Sequence, residues 1–189
     1  MRNLLGGIVF LLICSAPAMA QTAPKWELGG GYTFRSFMDP QSNSRLPMNG
    51  WSGTADYTVI KRWLSAAIDI DGAYNNYGLY GNTSVYTAMI GPQIYPLGHH
   101  KLTLFAHALF GEGYTRDTLP ASGGFNEKTF SSNAFAMEGG AGLDYTLKKR
   151  WAIRLIQFDY EDTRFYPAIG VPQGNYKIGF GVVYRFGMK

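Results

Sequence analysis

The sequence predicts an all-β fold: an eight-stranded antiparallel up-and-down transmembrane β-barrel, preceded by a cleaved signal peptide. Period-two alternation of apolar and polar residues recurs through eight segments, which indicates half-buried strands. Short and long connections alternate between these segments, as in a barrel that crosses a membrane. Large apolar side chains share one face of each strand, and charged and small residues share the other. A membrane barrel needs this polarity, because its outside meets lipid.

Length and composition exclude several other classes. The chain has 189 residues, of which 16% are charged and 15% aromatic, values that disfavour disorder and a coiled coil. After the first 20 residues, no apolar run is long enough for a helical membrane span. The formal net charge of +4 is small and scattered, so we expect no nucleic-acid partner.

The N-terminus has the three parts of a signal peptide. Arg2 supplies the positive charge, residues 4–13 form an apolar stretch, and Ala18 and Ala20 provide a cleavage pattern. We predict a signal peptide over residues 1–20 and a single barrel domain over residues 21–189. An uncleaved anchor helix is the alternative. Cys14 is the only cysteine, so the mature chain is expected to contain no disulfide.

The eight predicted strands differ in how cleanly they alternate. The eighth is the cleanest, whereas Pro92 in the fourth predicts a bulge or weakened pairing, and Phe105 interrupts the alternation of the fifth. The predicted strands are residues 26–35, 50–59, 63–74, 84–95, 102–114, 133–145, 151–162 and 174–186.

The sequence of the seventh predicted strand indicates a β-bulge between Arg154 and Asp159. Strict alternation with Arg154 inward would turn Gln157 and Asp159 toward lipid, where charged groups are costly. One extra residue near Ile156 reverses the phase. Asp159 would then meet Lys177 on the eighth strand.

The connections separate the two ends of the barrel. Residues 60–62, 96–101 and 146–150 are predicted short turns, and residues 36–49, 75–83, 115–132 and 162–173 are predicted long loops rich in Gly, Pro, Ser and Asn. In outer-membrane barrels the short turns are periplasmic and the longer loops extracellular.

The polar strand faces predict a charged lumen. Eight strands leave an interior just large enough for side chains, so we expect a plugged lumen, with Glu27 and Arg185 paired where the first and last strands meet. The predicted lumen network comprises Glu27, Arg35, Asp56, Asp69, Asp71, His107, Glu138, Asp144, Arg154, Gln157, Asp159, Lys177 and Arg185.

Aromatic residues near strand ends predict interface girdles. All four tryptophans fall at predicted strand starts, and tyrosines, Tyr95 among them, lie near strand ends. Aromatic packing in a soluble β-sandwich is the alternative, but it does not explain Gly and Ala on the polar face. The predicted interface tryptophans are Trp26, Trp51, Trp63 and Trp151.

Several segments resemble a known family. WELGGGYTF, IGPQIYPL, LFAHALFGEG, RLIQFDY and GFGVVYRF are similar to small porin-like outer-membrane barrels, such as the transmembrane domain of outer-membrane protein A. The resemblance implies an assembly signal at Tyr184 and Phe186, read by the barrel-assembly machinery. With three residues after Phe186, we expect no peptidoglycan-binding domain, which some relatives carry.

The candidate catalytic groups are few. Phe105 and Leu109 flank His107 on its strand face, so that strand offers no serine–histidine pair, and a cross-strand partner stays open. His99 and His100 fall in a short turn, where we expect contact with solvent or headgroups. Asp69 and Asp71 are expected to be balanced by lumen cations. We therefore predict no enzyme activity, no cofactor and no metal.

These observations predict a structural or porin-like protein of the Gram-negative cell outer membrane, exported through its signal peptide, with a plugged or narrowly gated lumen. Its expected partners are outer-membrane lipids and the barrel-assembly machinery. A surface interaction module is the alternative, with residues 115–132 and 162–173 as contact loops for an unidentified extracellular ligand. A lipid-modifying barrel enzyme is a second alternative.

Overall fold

The computed structural model describes residues 23–39, 44–60, 63–76, 81–119, 121, 126–165 and 173–187. The predicted signal peptide lies outside the described residues. Where the chain is described, no helix is long and apolar enough to cross a membrane.

Eight antiparallel strands form a closed ring in chain order, with β1 pairing with both β2 and β8. This confirms the predicted eight-stranded up-and-down barrel. Closure leaves no free strand edge, as a sheet in lipid requires. The strands are β1 (Trp26–Asp39), β2 (Ser44–Ile60), β3 (Leu64–Asn76), β4 (Asn82–Ile94), β5 (Leu102–Leu119), β6 (Lys128–Lys148), β7 (Trp151–Thr163) and β8 (Gln173–Phe186).

The strands are staggered around the barrel. A row of paired residues that begins at Lys25, beside β1, returns to β1 at Arg35, ten residues further along. Stagger of this kind tilts the strands by about 35–45° from the barrel axis. The row passes through Thr58, Ser65, Gln93, His107, Gly140, Asp159 and Lys177.

Two of the predicted long loops are shorter than expected. β1 continues to Asp39 and β2 begins at Ser44, while β5 continues to Leu119 and β6 begins at Lys128. The predicted loops over residues 36–49 and 115–132 are therefore wrong in their bounds. Backbone pairing continues into these segments, between β1 and β2 and between β5 and β6, although their polar composition hides the alternation.

Trp51 does not begin a strand, contrary to the prediction, because β2 starts at Ser44. It lies near the end of the barrel that carries the longer connections, here called the outer end. Trp26 and Trp151 begin strands, and Trp63 directly precedes β3. These three lie at the opposite end, here called the periplasmic end.

The predicted bulge in β7 is confirmed. Arg154 pairs with Gly181 of β8 and Gln157 pairs with Gly179, so β7 carries one extra residue between them. Leu155 and Ile156 both point outward, with exposed fractions of 49% and 50%. Gln157 and Asp159 are consequently buried, and Phe158 and Tyr160 face outward.

Pairing at Pro92 is weakened, as predicted. Ile90 pairs with Phe110 and Gln93 with His107, so the register is unchanged on either side of Pro92. Phe105 fits the alternation of β5 after all, because it is fully buried on the inner face two residues from His107.

Gly31 of β1 and Gly181 of β8 face each other where the barrel closes. A Cβ on Gly31 would collide with the backbone carbonyl of Phe180, so these strands approach more closely than side chains would permit.

Candidate functional site in the barrel lumen

The structure places every residue of the predicted lumen network in the interior, with at most 8% of its surface exposed. They come from all strands except β4. Since buried charges require partners, the contacts of these residues define what the lumen can do.

At the periplasmic end, Arg185 donates a hydrogen bond from Nε to Glu27 Oε1 over 2.5 Å, as predicted from strand closure. The hydroxyl of Tyr95 donates to Glu27 Oε2 over 2.7 Å and accepts from Gln93 Nε2. His99 Nε2 lies 3.6 Å from Glu27 Oε1. Glu27 is therefore enclosed by three partners, one from β8 and two from the β4–β5 turn.

Tyr95 and His99 correct two sequence predictions. Tyr95 was expected at the membrane interface and His99 in contact with solvent, but their exposed fractions are 1% and 5%. Their rings pack together with centroids 4.2 Å apart. The β4–β5 turn folds into the lumen, where Glu27 accepts a hydrogen bond from Tyr95 and lies close to the His99 ring.

Arg154 forms a second cluster above the periplasmic end. Its Nε donates to Asp144 Oδ1 over 3.0 Å and its Nη1 to Gln157 Oε1 over 2.8 Å. The guanidinium also lies over the ring of Phe105, 4.4 Å from its centroid, a favourable cation–π geometry. Phe105 thus points into the lumen, where its ring stabilises the Arg154 guanidinium.

Lys177 occupies the middle of the lumen. Its Nζ lies 2.7 Å from Glu138 Oε2 and 3.0 Å from Asp71 Oδ2, and it is 3.6 Å from both Asp69 and Asp159. One ammonium on β8 therefore contacts carboxylates from β3, β6 and β7. The predicted contact between Asp159 and Lys177 is confirmed.

Arg35 lies toward the outer end. Its Nη2 donates to Asp71 Oδ1 over 2.5 Å and to Glu161 Oε2 over 2.9 Å. Asn175 donates from Nδ2 to the other oxygen of Glu161 and to Thr163. Glu161 and Asn175 were missed from the sequence, although both continue the inward phase of Asp159 and Lys177 along their strands.

His107 lies between two carboxylates. Its Nε2 is 3.2 Å from Glu138 Oε1 and 3.2 Å from Asp159 Oδ1. In the described part of the chain, these carboxylates are the ion-pair partners of the imidazole. Neither of these two partners is a serine that could act as a nucleophile.

An apolar cap closes the outer end of the lumen. Phe37 and Phe165 pack with ring centroids 6.2 Å apart, and the Gln173 side chain hydrogen-bonds both backbone polar groups of Phe165. Phe37 was missed because the predicted first strand ended at Arg35, one inward position earlier. The buried residues of the cap are Phe37, Met48, Ala73, Val85, Ala134 and Phe165.

Little free space is left between these groups in the part of the lumen that the structure describes. A void of about 10 Å³ lies beside Asp56, Asp69 and His107, and it is enough for one water molecule at most. The arrangement of paired charges and closing rings can hold strands together and exclude solvent.

The outer surface carries the apolar face of the sheet. Exposed large apolar side chains cover every strand, and the predicted interface tryptophans are all exposed. Tyr74, Tyr86 and Tyr114 contact one another in series near the outer end. Tyr184 contacts Trp151 and Phe186 near the periplasmic end.

A closed antiparallel barrel with an apolar outside and a charged, filled inside is an integral membrane β-barrel. The family model of the outer membrane protein beta-barrel domain matches residues 6–186. The chain therefore belongs to this family of bacterial outer-membrane barrels.

Solved structures with the same fold are distant in sequence. Ail, the attachment invasion locus protein of Yersinia pestis, is 15% identical with a TM-score of 0.64, covering 87% of this chain and 99% of that chain. Neisserial surface protein A is 12% identical with a TM-score of 0.67, covering 86% and 97%. OprG of Pseudomonas aeruginosa is 15% identical with a TM-score of 0.50, covering 88% and 97%. No curated protein matches the chain.

Proposed function

We propose that this outer-membrane barrel has a structural role and that its lumen is closed to solutes. The observation that carries the proposal is Lys177, which is fully buried at the centre of the lumen and contacts four carboxylates. A solute path would have to separate these charges, and breaking a buried ion pair is costly.

Both ends support a closed barrel. The apolar cap lies above Arg35 at the outer end, and Tyr95 and His99 cover Glu27 at the periplasmic end. These contacts support a lumen that is blocked at three levels, by side chains from several strands and from the β4–β5 turn.

Planar-bilayer recording of the refolded barrel tests this proposal. We expect no large, persistent conductance after insertion, because Lys177 and its four carboxylates meet in the middle of the lumen. A Phe165→Ala variant is a matched control: it opens the outer cap but leaves Lys177 and its carboxylates in place, so it should also stay closed. A steady nonselective conductance in the wild type would refute the closed lumen.

We also infer that residues 1–20 direct export and that the last strand carries the signal for the barrel-assembly machinery. Tyr184 and Phe186 stack near the end of β8, with ring centroids 6.0 Å apart, at the seam where the barrel closes. Membrane lipids surround the exposed apolar face, whose aromatic ends match the two interfaces.

We propose no catalytic role. The contacts of His107 with Glu138 and Asp159 provide charge pairing, whereas acyl transfer needs a nucleophile within hydrogen-bond reach of its base.

Surface recognition is a second candidate function, favoured by the hairpin of β5 and β6. Beyond Tyr114, this hairpin exposes Leu119 and Phe130, with exposed fractions of 49% and 47%. Arg116, Glu127 and Lys128 are exposed beside them, so the hairpin combines apolar groups with charges of both signs. The similarly folded Ail of Yersinia pestis was solved in complex with the heparin analogue sucrose octasulfate.

Replacing residues 116–131 with a short turn tests this candidate, with heparin as the probe. We expect the shortened barrel to assemble and to keep its heat-modifiable mobility on a gel, because the lumen contacts lie below the hairpin. If the hairpin binds sulfated glycans, the wild type is retained on immobilised heparin and the shortened form is not. Equal elution of the two forms would argue against a recognition hairpin.

A further inference from the structure

Three potential metal ligands converge around Gly140 in the lumen. His107 on β5 and Asp159 on β7 are the register partners of Gly140 on either side, and Glu138 lies two residues along β6 on the same face. A Cβ at residue 140 would collide with the Asp159 carboxylate. The missing side chain therefore makes room for the three groups to meet, and all three are buried.

The converging atoms are free of hydrogen bonds. His107 Nε2, Glu138 Oε1 and Asp159 Oδ1 form none of normal geometry, although Nε2 lies 3.2 Å from each oxygen. Other groups hold the second oxygens: Lys177 Nζ lies 2.7 Å from Glu138 Oε2, and Gln157 Nε2 donates to Asp159 Oδ2 over 2.9 Å. Such outer contacts orient carboxylates toward a metal ion.

We propose that His107, Glu138 and Asp159 form a binding site for a divalent transition-metal ion of the zinc type. Zinc bonds of about 2.0–2.15 Å to nitrogen and oxygen place the ligand atoms of a tetrahedral site about 3.3–3.5 Å apart. The two separations of 3.2 Å in the structure are close to this value. The imidazole favours zinc over calcium and magnesium, which prefer oxygen ligands.

A void of about 10 Å³ borders His107 but not Glu138 or Asp159, and it has the size of one water molecule. A second group of acids, Asp71, Glu138 and Glu161, also converges, but Arg35 and Lys177 contact its oxygens. The site with His107 is therefore the better candidate.

The charge of the outer half of the lumen independently favours a cation. Among the described residues of this half, five buried carboxylates share two permanent cations, Lys177 and Arg35. Uncompensated buried charge is strongly unfavourable, and a divalent ion bound by neutral His107 would offset most of the excess. The five acids are Asp69, Asp71, Glu138, Asp159 and Glu161.

The competing arrangement is a protonated His107 paired with both carboxylates, with no metal ion. Direct metal counting separates the two, because only the metal site retains zinc after free ions are removed. The proposal does not depend on the closed lumen, since a conducting barrel could hold the same ligands.

The experiment uses the untagged barrel, refolded in detergent in the presence of Zn²⁺ and then passed through a desalting column. We expect one zinc ion per chain by mass spectrometry of the metal, and a higher unfolding temperature than after refolding with chelator. Substituting Co²⁺ should give the intense visible absorption of a tetrahedral site. A wild-type barrel that retains no zinc overturns the proposal without any variant.

Matched histidine variants locate the ion. His107→Gln should lose the retained zinc and the gain in unfolding temperature, whereas His100→Gln, in the β4–β5 turn, should keep both. Glu138→Gln provides a second test if His107→Gln fails to refold. Equal zinc retention by the His107 and His100 variants would place the ion elsewhere and refute the site.

Discussion

Replacing Lys177 with methionine is expected to lower the free energy of unfolding by about 3–5 kcal/mol, the usual cost of removing one partner from a buried ion pair. The ammonium contacts Asp69, Asp71, Glu138 and Asp159 and is 1% exposed. Methionine fills a similar volume but leaves these carboxylates facing one another. The loss should therefore be electrostatic and not a consequence of a cavity.

Urea-induced unfolding of the refolded barrel in detergent micelles, in chelator-treated buffer, measures this effect. Lys128→Met is the matched control, because Lys128 is exposed at the start of β6. It should change the free energy of unfolding by less than about 0.5 kcal/mol, as surface substitutions usually do. If both variants lose the same small amount, the central ion pairs contribute little to stability.

A double variant isolates the charge contribution. Combining Lys177→Met with Glu138→Gln removes the ammonium and its nearest carboxylate, which lie 2.7 Å apart. We expect the double variant to be more stable than the sum of the single losses implies, with a coupling of about 0.5–3 kcal/mol. Strict additivity would mean that the two groups do not interact.

The residues of the inner face could be predicted on strands whose own alternation fixes which side chains point into the lumen. The alternation of Glu27 through Arg35 fixes the phase of β1, and the cost of a lipid-facing Asp159 was sufficient to predict the bulge near Ile156. The pair of Glu27 with Arg185 followed from the closure of any up-and-down barrel. These inferences need only the period of a strand and the polarity of its surroundings.

The groups that close the barrel could not be predicted in the same way. Tyr95 and His99 lie in a turn, where side-chain direction has no period, so their burial against Glu27 depends on the folded turn. Phe37 and Phe165 are aromatic and therefore resemble lipid-facing residues in composition. Phe37 can be recognised as inward-facing only because it lies two residues after Arg35, on the same face of β1.

The cluster around Gly140 could be found only from the register between β5, β6 and β7. His107, Glu138 and Asp159 are separated by about 20–30 residues along the chain and match no metal-binding spacing. Register between β5, β6 and β7 brings them together. That register depends on the bulge in β7, which moves Asp159 to the inner face. A strand irregularity visible in the sequence thus sets the chemistry of the lumen.

Replacing Phe186 with alanine is expected to reduce assembled barrel in cells several-fold while destabilising the refolded barrel by only about 1 kcal/mol, the usual value of an aromatic contact. Phe186 pairs with Trp26 across the β1–β8 seam, and their rings stack with centroids 6.3 Å apart. Loss of this stacking accounts for the effect on stability. We propose that the larger effect in cells reflects recognition of the last strand during assembly.

Trp26→Ala is the matched control, because it removes the same stacked pair from the β1 side and leaves the last strand intact. Heat-modifiable mobility in isolated outer membranes measures assembled barrel, and urea unfolding of refolded protein measures stability. If Phe186 is part of an assembly signal, the two variants should be similarly stable, but Phe186→Ala alone should assemble poorly. If both variants assemble equally well relative to their stability, Phe186 serves only as an interface aromatic that packs against Trp26 and Tyr184.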